Sequence, residues 1–415
     1  MNRFLYSILL TLILPLVPVK LLWRGFKQPA YSRHWGERFG FYNTPVNKAI
    51  IWLHCVSVGE TRAAEPLVKA LQQQYPLHQI LISHGTPTGR EASEVLFGDS
   101  VQRVYLPYDL PFAVKHFLKH FQPKIGLLME TELWFNLIAA CKQREIPILL
   151  LNARLSEKSA KGYAKLGKLA IEGLQSLDAV AAQTGEDATR LQMLGAHHVS
   201  VTGNLKFDVK PPADSADKGL QLRKLFGEKP VFLAASTRIG EEAQILDAVK
   251  DLNILTVIVP RHPQRFDDVE ALIKKAGLSY VRRSNLRKPI DKNVQIILGD
   301  SMGELFTYYA ACDFTFIGGS LLPYGGQNLI EAASLGKPIL IGEHTFNFAE
   351  ASKNAVAAKA ALRVKDATEL REKIEYLLNN KSSLTSMQIA ALKFSVNSQG
   401  ATVRLMQLIR GFLNP

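Results

Sequence analysis

From Ala49 onward the chain alternates short apolar runs with longer amphipathic ones, and it does so twice. Segments 50–58, 79–83, 103–107, 124–129, 146–151, 179–182 and 198–201 are short, rich in Val, Ile and Leu, and bounded by turn residues. Continuous apolar runs of that length suit strands buried on both faces. Segments between them, such as 66–75 and 188–194, carry helical periodicity. The alternation predicts βαβ units and a parallel sheet covered by helices on both sides. Across 210–217 two prolines and small polar residues interrupt it, which reads as a linker. It restarts at 230–235, 254–260, 278–281, 294–298, 314–317 and 339–341, and the tail, 401–413, reads as a last amphipathic helix. The expected class is α/β, with two doubly wound sheets and a cleft between them. In such sheets ligands sit outside the carboxyl ends of the strands.

The loops at those ends are therefore where chemistry is sought. The stretch from Ile317 to Pro338 is the most pronounced: Gly318-Gly319-Ser320, then Gly325-Gly326, then Gln327-Asn328 and a helical run over 329–335. Glycine lets backbone approach a ligand closely, and a helix behind such a turn offers N–H groups and a positive dipole end to phosphate. Asn328 is placed as an N-cap, with Glu331 three residues on at capping-box spacing. Glu331 either caps the helix or accepts hydrogen bonds from ribose hydroxyls. Earlier, Glu60 follows Ser57-Val58-Gly59 at the end of the first strand. It either complements a helix dipole or serves as a general base facing the cleft. Glu130 and Glu132 end another strand; they start a helix or ligate a metal, although no His-x-x-x-His or Asp-x-Asp spacing supports a metal. Lys206 in Gly203-Asn204-Leu205-Lys206-Phe207-Asp208 meets a phosphate or is a surface lysine. Polar turns also follow at Ser236–Glu242, Arg261–Phe266 and Gly299–Leu305.

Residues 4–19 are almost wholly apolar, interrupted by Pro15 and Pro18. About 20 residues are needed for a full span, so the run is slightly short. Lys20, Trp23 and Arg24 follow it, and no small-residue cleavage site is evident. Trp23 suits a membrane interface, and the basic residues after the run leave the body in the cytoplasm by the positive-inside rule. The expectation is one N-terminal anchor, spanning or half-inserted. The net charge of +13 points to an anionic partner. Cys55, Cys141 and Cys312 are far apart in apolar or helical surroundings, so buried reduced thiols are expected rather than a disulfide framework.

Taken together, several stretches match one family in order along nearly the whole chain. They are Arg33–Gly40 (RHWGERFG), Ser57–Glu60 (SVGE), Glu130–Trp134 (ETELW), Asn152–Ser156 (NARLS), Gly203–Asp208 (GNLKFD), Pro260–Phe266 (PRHPQRF), Gly299–Leu305 (GDSMGEL) and Gly325–Pro338 (GGQNLIEAASLGKP). The set resembles the bacterial 3-deoxy-D-manno-octulosonic acid (Kdo) transferases of lipopolysaccharide synthesis. That resemblance implies a GT-B glycosyltransferase with two Rossmann-like domains and an N-terminal membrane anchor. The parts would be anchor 1–25, acceptor domain 26–209, linker 210–217, CMP-sugar domain 218–398 and a C-terminal helix over 399–415. It also implies an inverting transfer of Kdo from its CMP-activated form to lipid IVA at the cytoplasmic face of the inner membrane. No cofactor, active-site metal or nucleic-acid partner is implied. By the same resemblance Glu60 would be the base, and Glu130 and Lys206 would support the transition state. Arg261, His262, Met302, Gly303, Glu304, Asn328, Leu329, Ile330 and Glu331 would hold CMP. Leu329 stands where the family often has proline. The rivals are another GT-B enzyme acting on a UDP-sugar, as transferase or epimerase, and a membrane-tethered basic binding protein.

Overall fold

The computed structural model describes residues 1–208 and 211–413. They fall into two compact units, Met1–Asp208 with Gln399–Pro415, and Val209–Ser398. Of the stretch expected as a linker, residue 210 lies outside the described residues, and Ser215 already opens the helix Ser215–Phe226.

The first unit holds seven parallel strands: β1 (Ile50–Cys55), β2 (Gln79–His84), β3 (Gln102–Tyr105), β4 (Ile125–Met129), β5 (Ile148–Ala153), β6 (Ala179–Ala182) and β7 (Val199–Val201). Their order is β3-β2-β1-β4-β5-β6-β7. Side chains alternate between faces, so each strand feeds two cores. Trp52, Leu128 and Leu150 pack on one face with Phe117, Phe121 and Ile138. Ile51, Leu53 and Leu127 pack on the other with Leu67, Leu71, Leu405 and Ile409. The last two belong to the tail helix Ala401–Leu413, which therefore completes the first unit's core. Asp208 fixes its start by accepting the N–H groups of Gly400 (2.6 Å), Ala401 (3.3 Å) and Thr402.

The second unit repeats the plan with β8 (Val231–Thr237), β9 (Leu255–Pro260), β10 (Tyr280–Arg282), β11 (Ile296–Leu298), β12 (Phe314–Ile317), β13 (Ile339–Ile341) and β14 (Ala361–Arg363), in the order β10-β11-β9-β8-β12-β13-β14. The pattern reading anticipates every strand but β14, whose three residues include an arginine and give no apolar run. In both sheets the winding switches from one half of the sheet to the other beside the first strand, between β1 and β4 and between β8 and β12; in the second sheet β11 also inserts between β9 and β10. Helices on either side of such a point lie on opposite faces and leave an open crevice at the strands' carboxyl ends.

At the N-terminus the expected single anchor is two helices, α1 (Arg3–Ile13) and α2 (Leu16–Lys27), bent by 54°. The break falls at Leu14-Pro15, because proline has no N–H to continue the ladder and its ring crowds the preceding turn. Pro18 sits in the first turn of α2, where it is tolerated. Among the described residues no single helix is long and apolar enough to cross a membrane; only the bent pair passes on length and composition.

Candidate active site

In the first unit the chain leaves β1 and turns into the short helix Val58–Ala63. Ser57 caps it, taking the N–H of Glu60 at 3.4 Å. The carboxylate of Glu60 turns back: one oxygen accepts the N–H of Val56 at 2.8 Å, the other the hydroxyl of Ser57 at 2.8 Å. This is close to a capping box, so the local reading of Glu60 as a helix cap is geometrically real. Burial nevertheless dominates its charge state. Only 8% of Glu60 is exposed. Desolvation pushes its carboxyl up to about 7, the two donors oppose the rise, and the charges of Glu130 and Glu132 add to it.

Glu130 follows β4 across the crevice. It adopts a left-handed backbone (φ 59°), which costs energy in a side-chain-bearing residue and is held by the surrounding structure. Its carboxylate pairs with Lys206 at 3.1 Å. Lys206 lies on the turn Leu205–Phe207, and that turn is held by Asn152 at the end of β5. Asn152 is fully buried, also left-handed (φ 51°), and accepts the N–H of Leu205 at 2.9 Å. The helix carrying Glu60 packs against this turn. The structure thus brings Glu60, Glu130 and Lys206 to one crevice, and Asn152 is the support that motif reading missed. His54 is the penultimate residue of β1 and His84 ends β2; burial lowers them to about 4 and about 3, so both are neutral near pH 7.

In the second unit β8 ends at Ser236-Thr237 and leads to the helix Glu241–Val249, while β12 leads to Gly318-Gly319-Ser320. A Cβ on Gly318 would lie 2.4 Å from the carbonyl oxygen of Ser236, so only glycine lets the two loops meet. The N–H groups of this glycine turn are engaged within the unit itself. Glu241 occupies them: its carboxylate accepts the N–H groups of Gly319 (2.6 Å), Ser320 (2.9 Å), Leu321 (3.0 Å) and Arg238 (2.8 Å). Glu242 beside it takes a bidentate pair from Arg265 (2.5 and 3.2 Å) and the hydroxyl of Thr237 at 2.8 Å. Both glutamates are fully buried. Together they tie the loops after β8, β9 and β12 into one rim. The signal was present as an adjacent glutamate pair directly after Gly240, but sequence does not show where a carboxylate reaches.

Upon that rim the cations are arrayed. Arg261 donates through Nε to Gln327 at 3.2 Å, joining the loop after β9 to the one after β12. Arg238 lies 2.9 Å from Nε2 of His262 and covers the ring of Tyr324 at 4.7 Å. Desolvation and the nearby Arg238, Arg261 and Arg265 lower His262 below its usual range. Met302 and Gly303 are exposed after β11, and Glu304 pairs with Arg283 at 2.8 Å. The expected helix over 329–335 is shorter, Ile330–Ser334, and its N-cap is Leu329 rather than Asn328. Asn328 still helps the start, accepting the N–H of Ile330 at 3.0 Å, and donates to Glu331 at 3.2 Å. Burial raises Glu331 above the usual carboxylate range, with Asn328 and Arg261 opposing. Leu329 and Ile330 are fully buried, so what they offer a ligand is backbone.

Residues 33–209 match the family model described as 3-deoxy-D-manno-octulosonic-acid transferase (kdotransferase), and residues 244–394 match glycosyl transferases group 1. The 3-deoxy-D-manno-octulosonic acid transferase of Haemophilus influenzae is 39% identical over 100% of this chain and 99% of its own length. That of Bordetella pertussis is 39% identical over 100% of both chains. A solved glycosyltransferase from Rickettsia africae covers 89% of this chain and 99% of its own, at 16% identity and a TM-score of 0.59, which speaks to the fold alone. The two parallel sheets are those of a GT-B glycosyltransferase, and the transferase relatives set aside both the epimerase and the non-enzymatic readings. The chain belongs to the family of 3-deoxy-D-manno-octulosonic acid transferases.

Proposed function

We propose that this Kdo transferase moves the sugar from CMP-Kdo to lipid IVA, with inversion, using Glu60 as the base. The observation that carries the reading is the buried Glu60 carboxyl, pushed up to about 7 at the carboxyl end of β1. A base with its pKa near the working pH is ionised in a useful fraction and still strong enough to take a proton. The acceptor hydroxyl oxygen bonds to the anomeric carbon as the bond from that carbon to the CMP phosphate oxygen breaks. The hydroxyl proton passes to Glu60, and CMP leaves with the bonding electrons. One carboxylate suffices for a single displacement, whereas a double displacement wants two flanking the sugar. Lys206, oriented by Glu130, offers positive charge beside that carboxylate. Arg261 and His262 face the charge that grows on the phosphate. The loop Met302–Glu304 and the segment Asn328–Glu331 hold the nucleoside, Glu331 through ribose hydroxyls. No cofactor enters.

The chain works at the cytoplasmic face of a bacterial inner membrane, where its +13 charge suits an acceptor bearing phosphates in an anionic leaflet. The test is incubation of the purified full chain with CMP-Kdo and lipid IVA, followed by mass spectrometry of the lipid. A product heavier by Kdo is expected; an unmodified lipid in the presence of intact donor would refute the acceptor assignment.

A further inference from the structure

The rim of the second unit gathers more positive charge than its own acids consume. Arg265 is spent on Glu242, and Arg261 reaches across to Gln327. Arg238 stands half-buried directly after β8. Its backbone N–H goes to Glu241, but its guanidinium pairs with no carboxylate among the described residues. It donates instead to Nε2 of His262 at 2.9 Å and lies 4.7 Å from the centre of the Tyr324 ring. Arginine has no acceptor, so Nε2 is the unprotonated nitrogen of that imidazole. The lowered proton affinity of His262 agrees with this. Tyr324 is fixed in turn: its hydroxyl donates to the carbonyl of Ile239 at 3.1 Å, and its own carbonyl accepts from Asn347 at 3.1 Å. A Cβ on Gly319 would lie 3.4 Å from Nε2 of Gln327, 3.5 Å from Cγ of Arg238 and 3.6 Å from Cβ of Tyr324, so these three side chains converge over a residue that has none.

A guanidinium stacked on an aromatic face, with in-plane N–H groups to spare, matches a planar carboxylate, which takes two parallel hydrogen bonds. In CMP-Kdo the anomeric carbon bears both the phosphate ester oxygen and the carboxylate of the ulosonic acid. A receptor for that carboxylate must therefore adjoin the receptor for the phosphate, and Arg238 adjoins His262. We propose that Arg238 is a specificity-determining residue for the donor sugar: its guanidinium takes the carboxylate while Arg261 and His262 take the phosphate. The assignment rests on the CMP-Kdo donor reading above and goes beyond it by naming what separates an acidic sugar from a neutral one. A neutral sugar on the same nucleotide would leave Arg238 without a counter-charge. Because the carboxylate and the breaking bond share one carbon, holding the first also orients the second for displacement.

Steady-state transfer by the full chain tests this in the wild type, Arg238→Met and Arg238→Lys, with CMP as a competing inhibitor. Arg238→Met is expected to raise the KM for CMP-Kdo by about tenfold or more, as one charge-assisted bidentate pair is lost. Inhibition by CMP, which has no sugar carboxylate, should shift by less than about twofold. Arg238→Lys should fall between, because an ammonium keeps the charge and loses the fork. An equal weakening of CMP would make Arg238 a phosphate ligand or a prop of the rim, and overturns the proposal. A wild-type enzyme that uses CMP-Kdo while Arg238→Met keeps the same KM overturns this assignment alone. A wild-type chain that binds CMP and transfers nothing from CMP-Kdo overturns the donor reading, and this assignment with it.

Discussion

Glu60 and Glu241 hold matching places in their two units. Each lies in the first turn of the helix that follows the central strand at the winding switch, and each is buried. Their partners differ. Glu241 has four backbone N–H groups on its two oxygens. Glu60 has two donors and, nearby, two carboxylates of its own sign. Burial raises both carboxyls; at Glu241 four backbone N–H groups oppose the rise, whereas Glu60, with fewer donors and two like charges nearby, is pushed up to about 7. The same residue at the same point of the same fold is architecture in one unit and a candidate base in the other.

That contrast can be broken most sharply at Glu60. Glu60→Gln keeps an acceptor for the local donors and removes the proton affinity. Transfer should fall by roughly 10²- to 10⁴-fold with little change in thermal stability. A variant with near-normal turnover would reduce Glu60 to a cap, as would a melting loss matching that of the next variant. Glu241→Ala should do the reverse. It strands several buried N–H groups and should cost about 3 kcal/mol in a denaturant titration. Unchanged stability would mean that the glycine loop does not need its internal anion.

The charge state of Glu60 makes a third comparison. The acid limb of kcat/KM should rise about tenfold per pH unit and level off near pH 7. For stability the sign is opposite to that of an ordinary paired carboxylate. Its folded value lies above its unfolded one, so the native state holds the proton more tightly from about 4.5 to about 7, and its contribution declines as pH rises through that window. His54 and His84, lowered to about 4 and about 3, act the other way: they cost stability as pH falls below 6.5. Stability against pH in the wild type and in Glu60→Gln separates the two. A wild-type curve that matches the variant's would sink the assignment to Glu60.

The smallest effect is expected at Lys206. Lys206→Met leaves Glu130 without its cation, so the like charge beside Glu60 grows and the acid limb should move to higher pH. Transfer at pH 6 should drop by about three- to tenfold beyond any loss at pH 8. A uniform loss at both pH values would make Lys206 a transition-state contact with no influence on the base.

Legibility followed the range of the interactions. The strand and helix alternation gave thirteen of the fourteen strands among the described residues, because apolar runs bounded by turns are a local property; β14 escaped because Arg363 breaks its short apolar run. Strand ends were extended too far where a side chain intervened: β1 stops at Cys55 because the N–H of Val56 turns to Glu60 instead of to the sheet. The break of the anchor at Pro15 was written in the covalent chemistry of proline, yet the docking of α1 by Tyr6 on Asp109 was not, since those residues lie 103 positions apart.

By itself the chain's order of residues determined the two parallel sheets, the loops at their carboxyl ends and, through its ordered motifs, the family. Tertiary structure alone decided which acid in those loops is spent on backbone and which is left short of partners. The reason is that proton affinity depends on burial and on donors brought from distant strands, and neither is encoded in spacing along the chain.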